Sequence, residues 1–235
     1  MKSLRFLITA GPTREFFDPI RYLTNRSSGK MGYAIAAACR KVSPHVTLIT
    51  GPVTLPAPTG VDCVPVTTAA EMAREVFRRY SKTDVVIMTA AVCDYRPWQV
   101  SRQKIKKTGK RLCLELEPTT DILFELGKRK RRQVLVGFAA ETDNLKRHAL
   151  DKLRRKRLDL IVANDASAFE SDTNRVTLFF ADGCVECLPE MTKRKVASEL
   201  VQRITGLRKS SCQTATSDKS RCSSAASVTL RRQSL

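Results

Sequence analysis

The stretch that organises this chain reads Arg21-Tyr-Leu-Thr-Asn-Arg-Ser-Ser-Gly-Lys-Met-Gly-Tyr33, and it runs directly into the apolar segment Tyr33–Cys39. The apolar segment is typical of a buried helix, and the polar stretch before it supplies serines, glycines and a lysine. Free backbone N–H groups at a helix N-terminus, hydroxyl donors and a cation together favour a bound phosphate. The Gly-x-x-x-x-Gly-Lys-Ser/Thr spacing of a P-loop is missing. The sequence therefore predicts an anion-binding loop of another kind at this helix start.

Short apolar segments alternate with amphipathic segments along most of the chain. The apolar segments predict buried parallel strands at Leu4–Thr9, Val46–Thr50, Val85–Thr89, Val134–Ala139 and Leu160–Ala163. Helical periodicity covers 31–41, 69–81, 119–130, 144–157 and 191–204. This alternation predicts an α/β fold with a Rossmann-like, mostly parallel sheet and helices on both faces. Extra strands outside the alternation are expected at Arg111–Leu116, Arg175–Phe180 and Cys184–Leu188.

Ligands of such sheets bind at the carboxyl ends of the strands. Two polar segments of this chain, Ala10–Arg14 and Ala90–Pro97, follow the first and third predicted strands directly. We therefore expect the functional site at that edge of the sheet, beside the predicted anion-binding loop.

The formal net charge of +19 suggests a nucleic-acid partner at first sight. Aromatic residues make up 6% of the chain, however, and no known RNA- or DNA-binding module is recognisable, so no specific nucleic-acid partner is predicted. A basic surface also attracts phosphorylated small molecules. The chain lacks an apolar run long enough to cross a membrane, and the apolar segment before Gly11 is too short for a signal peptide. We expect a cytoplasmic protein with reduced thiols, in which Cys184 and Cys187 form an incidental pair and bind no metal.

The C-terminal residues 207–235 differ in composition from the rest, being rich in serine and basic residues and poor in large apolar ones. Such a segment buries too little surface to offset the entropy of ordering. We expect one domain at 1–206 and a disordered basic tail at 207–235; a regulatory or nucleic-acid-contacting tail is the alternative.

Six motifs in a fixed order resemble phosphopantothenate–cysteine ligase in its bacterial, nucleotide-dependent form, and the resemblance runs from about Leu4 to about Ile204. The motifs are Ile8–Glu15, Ala90–Pro97, Lys104–Lys107, Val136–Thr142, Ile161–Ser167 and Ser171–Val176.

The resemblance implies a two-step reaction of coenzyme A biosynthesis. The carboxylate of 4′-phosphopantothenate attacks the α-phosphate of CTP, which is accompanied by Mg²⁺, and gives an acyl-cytidylate and pyrophosphate. The amine of L-cysteine then displaces CMP. The resemblance also implies a homodimer, with the extra strands at its interface. Because no flavin-dependent decarboxylase segment precedes Leu4, we expect no FMN and a separate decarboxylase that acts next.

Three residues match catalytic positions of the family. Asn25 would bind the acyl carbonyl group, Lys104 would stabilise the phosphoryl transition state from a mobile flap, and Arg21 would lie near the substrate. Each has a simpler interpretation: Asn25 as a residue that shapes its loop, Lys104 as an exposed loop cation, and Arg21 as a partner of Glu15 or Asp18.

The binding residues carry over in the same way. The nucleotide would contact Gly11, Ser27, Ser28, Gly29, Asp94, Lys104, Thr120, Asp121, Ile122, Leu123, Phe138, Lys152 and Lys156. The acyl substrate would contact Asn25, Ala90, Ala91 and Asn164. Lys152 and Lys156 are four residues apart on a predicted helix and would grip the triphosphate together. A solvated basic helix face is the alternative for this pair, and a turn is the alternative for Asn164.

Two departures from the family pattern concern the nucleotide. Glu117-Pro-Thr-Thr-Asp121 replaces Lys-Asn-Pro-Asp, which leaves CTP and ATP both open, and Arg26 takes the place of a usual histidine. A nicotinamide-dependent oxidoreductase and a basic nucleic-acid-binding protein are the competing functions. The oxidoreductase is disfavoured because Gly-x-Gly-x-x-Gly does not follow the first strand.

Overall fold

The computed structural model describes residues 3–141, 145–165 and 171–207. Residues 208–235, which make up nearly all of the predicted tail, lie outside the described residues, so the tail stays a prediction.

The described elements follow the predicted alternation of strands and helices. In chain order they are β1 (Arg5–Ala10), β2 (Arg14–Phe16), β3 (Tyr22–Thr24), α1 (Lys30–Val42), β4 (His45–Thr50), β5 (Asp62–Pro65), α2 (Ala69–Tyr80), β6 (Val85–Met88), β7 (Tyr95–Pro97), β8 (Leu116–Pro118), α3 (Ile122–Arg129), β9 (Val134–Glu141), α4 (Leu145–Arg155), β10 (Leu160–Asp165), β11 (Thr173–Phe180), β12 (Val185–Thr192) and α5 (193–207).

Eight strands form the central sheet, in the order β12-β11-β10-β9-β6-β1-β4-β5. The six strands from β10 to β5 run parallel, and β11 and β12 extend the sheet as antiparallel strands. The prediction of a mostly parallel α/β sheet with added strands is therefore confirmed. The sequence reading missed β5, whose four residues, Asp62-Cys-Val-Pro65, carry a polar start and a proline and so lack an apolar run.

Two apolar layers cover the sheet, one on each face. Alternate residues of β1 enter opposite layers, with Phe6 and Ile8 on one face and Leu7 on the other. Helices α1 and α5 pack on the first face through residues such as Ile35 and Leu200. Helices α2, α3 and α4 cover the second face. Because both faces are covered, the central strands are apolar throughout, which is why the sequence shows them so clearly.

The expected strand at Arg111–Leu116 is wrong in its bounds. The structure instead has β8 at Leu116–Pro118, which pairs with β7 in an antiparallel ribbon separate from the main sheet. The helix expected from residue 119 begins at Ile122. The reason is local: the Asp121 side chain accepts a 3.0 Å hydrogen bond from the Phe124 N–H and caps the helix there.

The last helix, α5, was expected from residue 191 and begins at residue 193, because β12 continues to Thr192. In the part of the chain that the structure describes, no helix combines the length and the apolar character needed to span a membrane.

Candidate functional site

A cavity of about 800 Å³ lies at the carboxyl ends of the parallel strands, where the sequence predicted the site. Most of the predicted site residues line it: Asn25, Ser27, Ser28, Gly29, Ala90, Ala91, Asp94, Thr120, Asp121, Ile122, Leu123, Phe138, Lys156 and Asn164. The structure thus brings together segments that are far apart in the chain. It does not bring Gly11, Arg21, Lys104 or Lys152 into the cavity lining.

The N-terminus of α1 opens into this cavity. Gly29 is its N-cap residue, has a φ of 74° and provides no side-chain hydrogen bond, so no side chain caps the first turn. Gly32, one turn further, faces the sheet: a Cβ there would lie 2.5 Å from both Ala10 Cβ and Thr89 Oγ1. Glycine at this position therefore lets the helix start come close to the strand ends. The helix start therefore has the open geometry that the predicted anion site requires, and anion binding itself stays a prediction.

Gly11 supports this loop from behind. A Cβ on Gly29 would lie 3.5 Å from the Cα and backbone nitrogen of Gly11, and Gly11 is itself buried. Its carbonyl oxygen accepts a 2.9 Å hydrogen bond from the Ala91 N–H. Gly11 therefore shapes the floor under the cavity instead of forming part of its lining.

Asn25 is fixed against the loop that follows β6. Its Nδ2 donates to the carbonyl oxygens of Val92 at 3.0 Å and Ala91 at 3.4 Å. That loop is held in turn by the chain after β1, since the Cys93 N–H donates to Thr13 Oγ1 at 2.9 Å. Burial raises the pKa of the Cys93 thiol, which keeps it protonated and makes it a packing residue. Asn25 and Asp94 are therefore presented to the cavity by a hydrogen-bonded frame.

An ion pair between Asp121 and Lys156 forms another part of the cavity wall. The Lys156 ammonium lies 2.9 Å from Asp121 Oδ1 and 2.8 Å from Oδ2, and the Lys156 side chain is 15% exposed. Asp121 also caps α3, so this cation sits at the start of that helix, beside Thr120. The arrangement can hold a nucleotide by its phosphates and by the backbone of the 119–123 segment.

Of the predicted pair Lys152 and Lys156, the structure places Lys156 in the cavity lining and Lys152 outside it, and their joint contact with a triphosphate stays a prediction. Regular helix α4 ends at Arg155, and the Lys156 N–H still donates to the Lys152 carbonyl oxygen at 3.0 Å, so the two residues keep their helical spacing. Lys156 turns into the cavity, and Lys152 stays on the helix outside the lining.

Arg21 lies in a separate cluster outside the cavity, and Lys104 lies next to Ile105, a member of that cluster, in the chain. The buried carboxylate of Asp18 accepts hydrogen bonds from the Arg21 Nε at 2.9 Å and from the backbone N–H of Ile105 at 3.1 Å. Hydrogen bonding to Arg21 is the main reason that the pKa of Asp18 is well below its usual value. Of the simpler interpretations of Arg21, pairing with Asp18 is therefore the one observed. Lys104 is exposed and immediately precedes Ile105 in this anchored segment.

Among the other lining residues, Asn174 and Lys193 had no predicted role, and Lys30 entered the prediction only as the cation of the anion-binding loop. Asn174 belongs to the Ser171–Val176 motif, which carried the resemblance without a role for any of its residues. Lys193 had no signal of its own, because a lysine at the start of a helix in a basic chain looks like ordinary surface.

Comparison with known proteins gives the family. The sequence profile described as DNA/pantothenate metabolism flavoprotein C-terminal domain matches residues 1–207. The coenzyme A biosynthesis bifunctional protein CoaBC of Bacillus subtilis (strain 168) is 50% identical over 214 residues, which are 89% of this chain and 53% of that protein. CoaBC of Haemophilus influenzae is 45% identical over 208 residues, 87% of this chain and 52% of that protein. The chain thus spans about half the length of the curated relatives it matches.

A solved structure shows which half is matched. The crystal structure of the C-terminal domain of CoaBC has 45% sequence identity and a TM-score of 0.78, and the match covers 89% of this chain and 98% of that one. The DNA/pantothenate metabolism flavoprotein of Streptococcus pneumoniae, at 24% identity and a TM-score of 0.76, has the same fold. Profile, relatives and structures agree, and this chain belongs to the family of DNA/pantothenate metabolism flavoprotein C-terminal domains.

Proposed function

We propose that this domain joins 4′-phosphopantothenate to L-cysteine, a ligase step of coenzyme A biosynthesis, using a nucleoside triphosphate to activate the carboxylate. The observation that carries the proposal is the single cavity in which Asn25, the uncapped start of α1 and the Asp121–Lys156 pair meet. The names of the relatives support the pathway, since CoaBC proteins are coenzyme A biosynthesis proteins.

The first step requires groups that bind phosphate and stabilise its negative charge. A carboxylate oxygen of phosphopantothenate attacks the α-phosphorus, the bond between the α- and β-phosphates breaks, and pyrophosphate leaves. Negative charge builds on phosphoryl oxygens, so fixed donors and cations lower the barrier more than a protein nucleophile would. The N–H groups at the start of α1 and the ammonium of Lys156 supply such charge from two sides of the cavity.

The second step needs the acyl carbonyl to be held while the amine of cysteine attacks it. Asn25 is anchored beside Ala91 and lines the cavity, which suits a contact with that carbonyl. Displacement of the nucleoside monophosphate then leaves an amide. The product retains the carboxylate of cysteine, so we propose that a decarboxylation step consumes it.

The identity of the nucleotide is part of the proposal. We propose CTP from the family resemblance, with ATP as the alternative. The segment Thr119–Leu123, which the resemblance assigns to the base and ribose, lines the cavity. Mg²⁺ usually takes one or two carboxylates together with phosphate oxygens. Asp94 fits that use: it lines the cavity on the loop that carries Ala91, whereas Asp121 is occupied by Lys156. The ion would neutralise phosphate charge. Among the described residues no cluster of three or more His, Cys, Asp or Glu side chains forms a metal site of its own.

The test is a reconstitution with purified protein, phosphopantothenate, L-cysteine, Mg²⁺ and each of the four nucleoside triphosphates. We expect pyrophosphate release that depends on phosphopantothenate and is fastest with CTP. Asn25→Asp should release pyrophosphate once and accumulate the acyl-cytidylate even with cysteine present, since a carboxylate repels the developing oxyanion and cannot donate to it. Mass spectrometry detects that species.

The same experiment can contradict each part of the proposal. Absence of phosphopantothenate-dependent pyrophosphate release with every nucleotide rejects the ligase. An Asn25→Asp variant that fails to release pyrophosphate assigns Asn25 to the first step, and one that turns over normally makes Asn25 a loop-shaping residue.

A further inference from the structure

Helices α1 and α5 pack on the same face of the sheet, and each begins with a lysine at the cavity wall. Lys30 is the first residue of α1 and Lys193 is the first residue of α5, and both line the cavity. The positive end of a helix dipole disfavours a cation at this position. Two helices that break the same local preference at one place point to a functional reason for both cations.

Lys30, Lys193 and Asp172 form a charged cluster at this part of the cavity wall. Lys193 is 7% exposed, and its pKa is lowered by burial first and by Lys30 second, with Asp172 acting in the opposite direction. Asp172 Oδ1 lies 2.6 Å from the Lys30 ammonium, and the backbone oxygen of Asp172 accepts from the Lys193 N–H at 3.0 Å. The two ammonium groups thus act against each other at the cavity wall, and an anion bound beside them would be attracted by both.

Asn174 provides an independent observation. This residue is 5% exposed and lines the same cavity, and its Oδ1 is a buried side-chain oxygen for which the described residues supply no hydrogen-bond partner. Buried polar atoms are normally paired, and exceptions call for an explanation. An amide can present either its oxygen or its NH₂ group by turning end for end, so a ligand that carries both hydroxyl and anionic oxygens can complete it.

We infer that Lys30, Lys193 and Asn174 form a phosphate subsite that holds the β- and γ-phosphates of the nucleotide and then the departing pyrophosphate. The assignment rests on the proposed function. Lys30 directly follows Gly29, so the subsite continues the phosphate-binding start of α1. It lies toward the α1–α5 face, whereas the Asp121–Lys156 pair belongs to elements of the opposite face. The phosphate of phosphopantothenate has the same chemistry and is the other source of the ligand.

Direct binding separates these sources without any turnover. Calorimetry on the full chain would measure the dissociation constants of pyrophosphate, CTP, CMP and 4′-phosphopantothenate. The three proteins compared would be the wild type, Lys193→Met and Lys30→Gln. We expect both variants to bind pyrophosphate and CTP about tenfold or more weakly than the wild type does. Their affinities for CMP and phosphopantothenate should stay within about twofold of the wild-type values. The matched control is Lys195→Met, which removes the same charge from the same helix at an exposed position paired with Glu199. It should bind all four ligands like wild type.

The remaining outcomes are equally decisive. If Lys193→Met and Lys30→Gln weaken the binding of phosphopantothenate but not that of pyrophosphate, the subsite binds the phosphate of phosphopantothenate and the pyrophosphate assignment is wrong. Unchanged binding of both ligands rejects the subsite. Thermal unfolding checks that Lys193→Met is folded; if it is not, the partly exposed Lys30→Gln decides alone. A chain that binds pyrophosphate through Lys193 and yet forms no product would reject the proposed ligase and leave the subsite standing.

Discussion

The guanidinium of Arg21 donates a 2.7 Å hydrogen bond to the backbone carbonyl oxygen of Ile105. Asp18 joins the same two residues, because its buried carboxylate accepts from the Arg21 side chain and from the Ile105 N–H. Ser101 adds a second tie, its N–H donating to the Phe17 carbonyl oxygen at 3.0 Å. The segment that carries Lys104 is therefore anchored to the turn just before the β3–Asn25 stretch. We call the three residues Asp18, Arg21 and Ile105 the latch.

Breaking the latch should loosen the Lys104 segment. Asp18→Asn removes the charge that holds Arg21, and an amide cannot accept all the hydrogen bonds that the carboxylate accepts. We expect faster hydrogen exchange in residues 101–107 and a lower rate of pyrophosphate release, with exchange in the β1 strand unchanged. Glu75→Gln is the control, since it removes a carboxylate that pairs with arginines on α2. Wild-type exchange at 101–107 in Asp18→Asn would contradict the role of the latch.

The latch also predicts a pH dependence. Because the folded-state pKa of Asp18 lies below the ordinary value of 3.8, its contribution to stability is present above that pH and is lost as the pH falls toward the folded-state pKa. Wild type should therefore lose more stability than Asp18→Asn between about pH 4 and pH 2. Urea unfolding at several pH values measures this, and parallel pH curves for the two proteins would exclude Asp18 as a contributor.

Lys104→Gln should reduce overall turnover by at least about tenfold, about 1.4 kcal/mol of transition-state stabilisation, without unfolding the protein. The reason is that Lys104 lies next to the anchored Ile105 and is proposed to reach the reacting phosphate when substrates bind. Lys107→Gln is the matched control, an exposed lysine three residues further along the same segment. Wild-type rates in folded Lys104→Gln would make it an ordinary loop cation.

Lys156→Gln should raise the dissociation constant for CTP by about tenfold and change stability little. Stability is spared because Asp121 still accepts from the Phe124 N–H and caps α3. Lys128→Gln on α3, which breaks an exposed pair with Glu125, is the control and should bind CTP normally. Helical spacing predicts that Lys152 and Lys156 bind the triphosphate together. Equal losses of CTP affinity in Lys152→Gln and Lys156→Gln would support that prediction, and a loss in Lys156→Gln alone would assign the contact to Lys156.

We expect a homodimer in solution. Large apolar side chains stand exposed on and beside the β7–β8 ribbon, with Tyr95 at 54%, Trp98 at 59% and Leu116 at 46% exposure. Grouped apolar exposure of this kind is typical of a protein–protein interface. Light scattering should give about twice the chain mass of 26.2 kDa, and Trp98→Glu should shift it toward the monomer. A wild-type mass near that of one chain at micromolar concentration would contradict the prediction.

Part of the site could be predicted from local pattern. Ser27–Gly29 before an apolar helix indicated a helix start open to anions, and the apolar runs at Val85–Thr89 and Leu160–Ala163 indicated strand ends that meet at one edge. These features depend on residues close together in the chain, and so periodicity and spacing record them. The motif order then indicated that Asn25, Asp94 and Phe138 share a site, and the cavity brings them together.

The sequence by itself determined the α/β class, the position of the site at the carboxyl edge and the family. Tertiary structure alone decided that Lys156 lines the cavity and Lys152 does not, because that depends on how α4 and the residues after it pack against the sheet. It also decided that the antiparallel strands β11 and β12 return Asn174 and Lys193 to the wall beside Lys30. Such contacts join residues more than a hundred positions apart, and packing of the sheet and its helices creates them where no local pattern can record them.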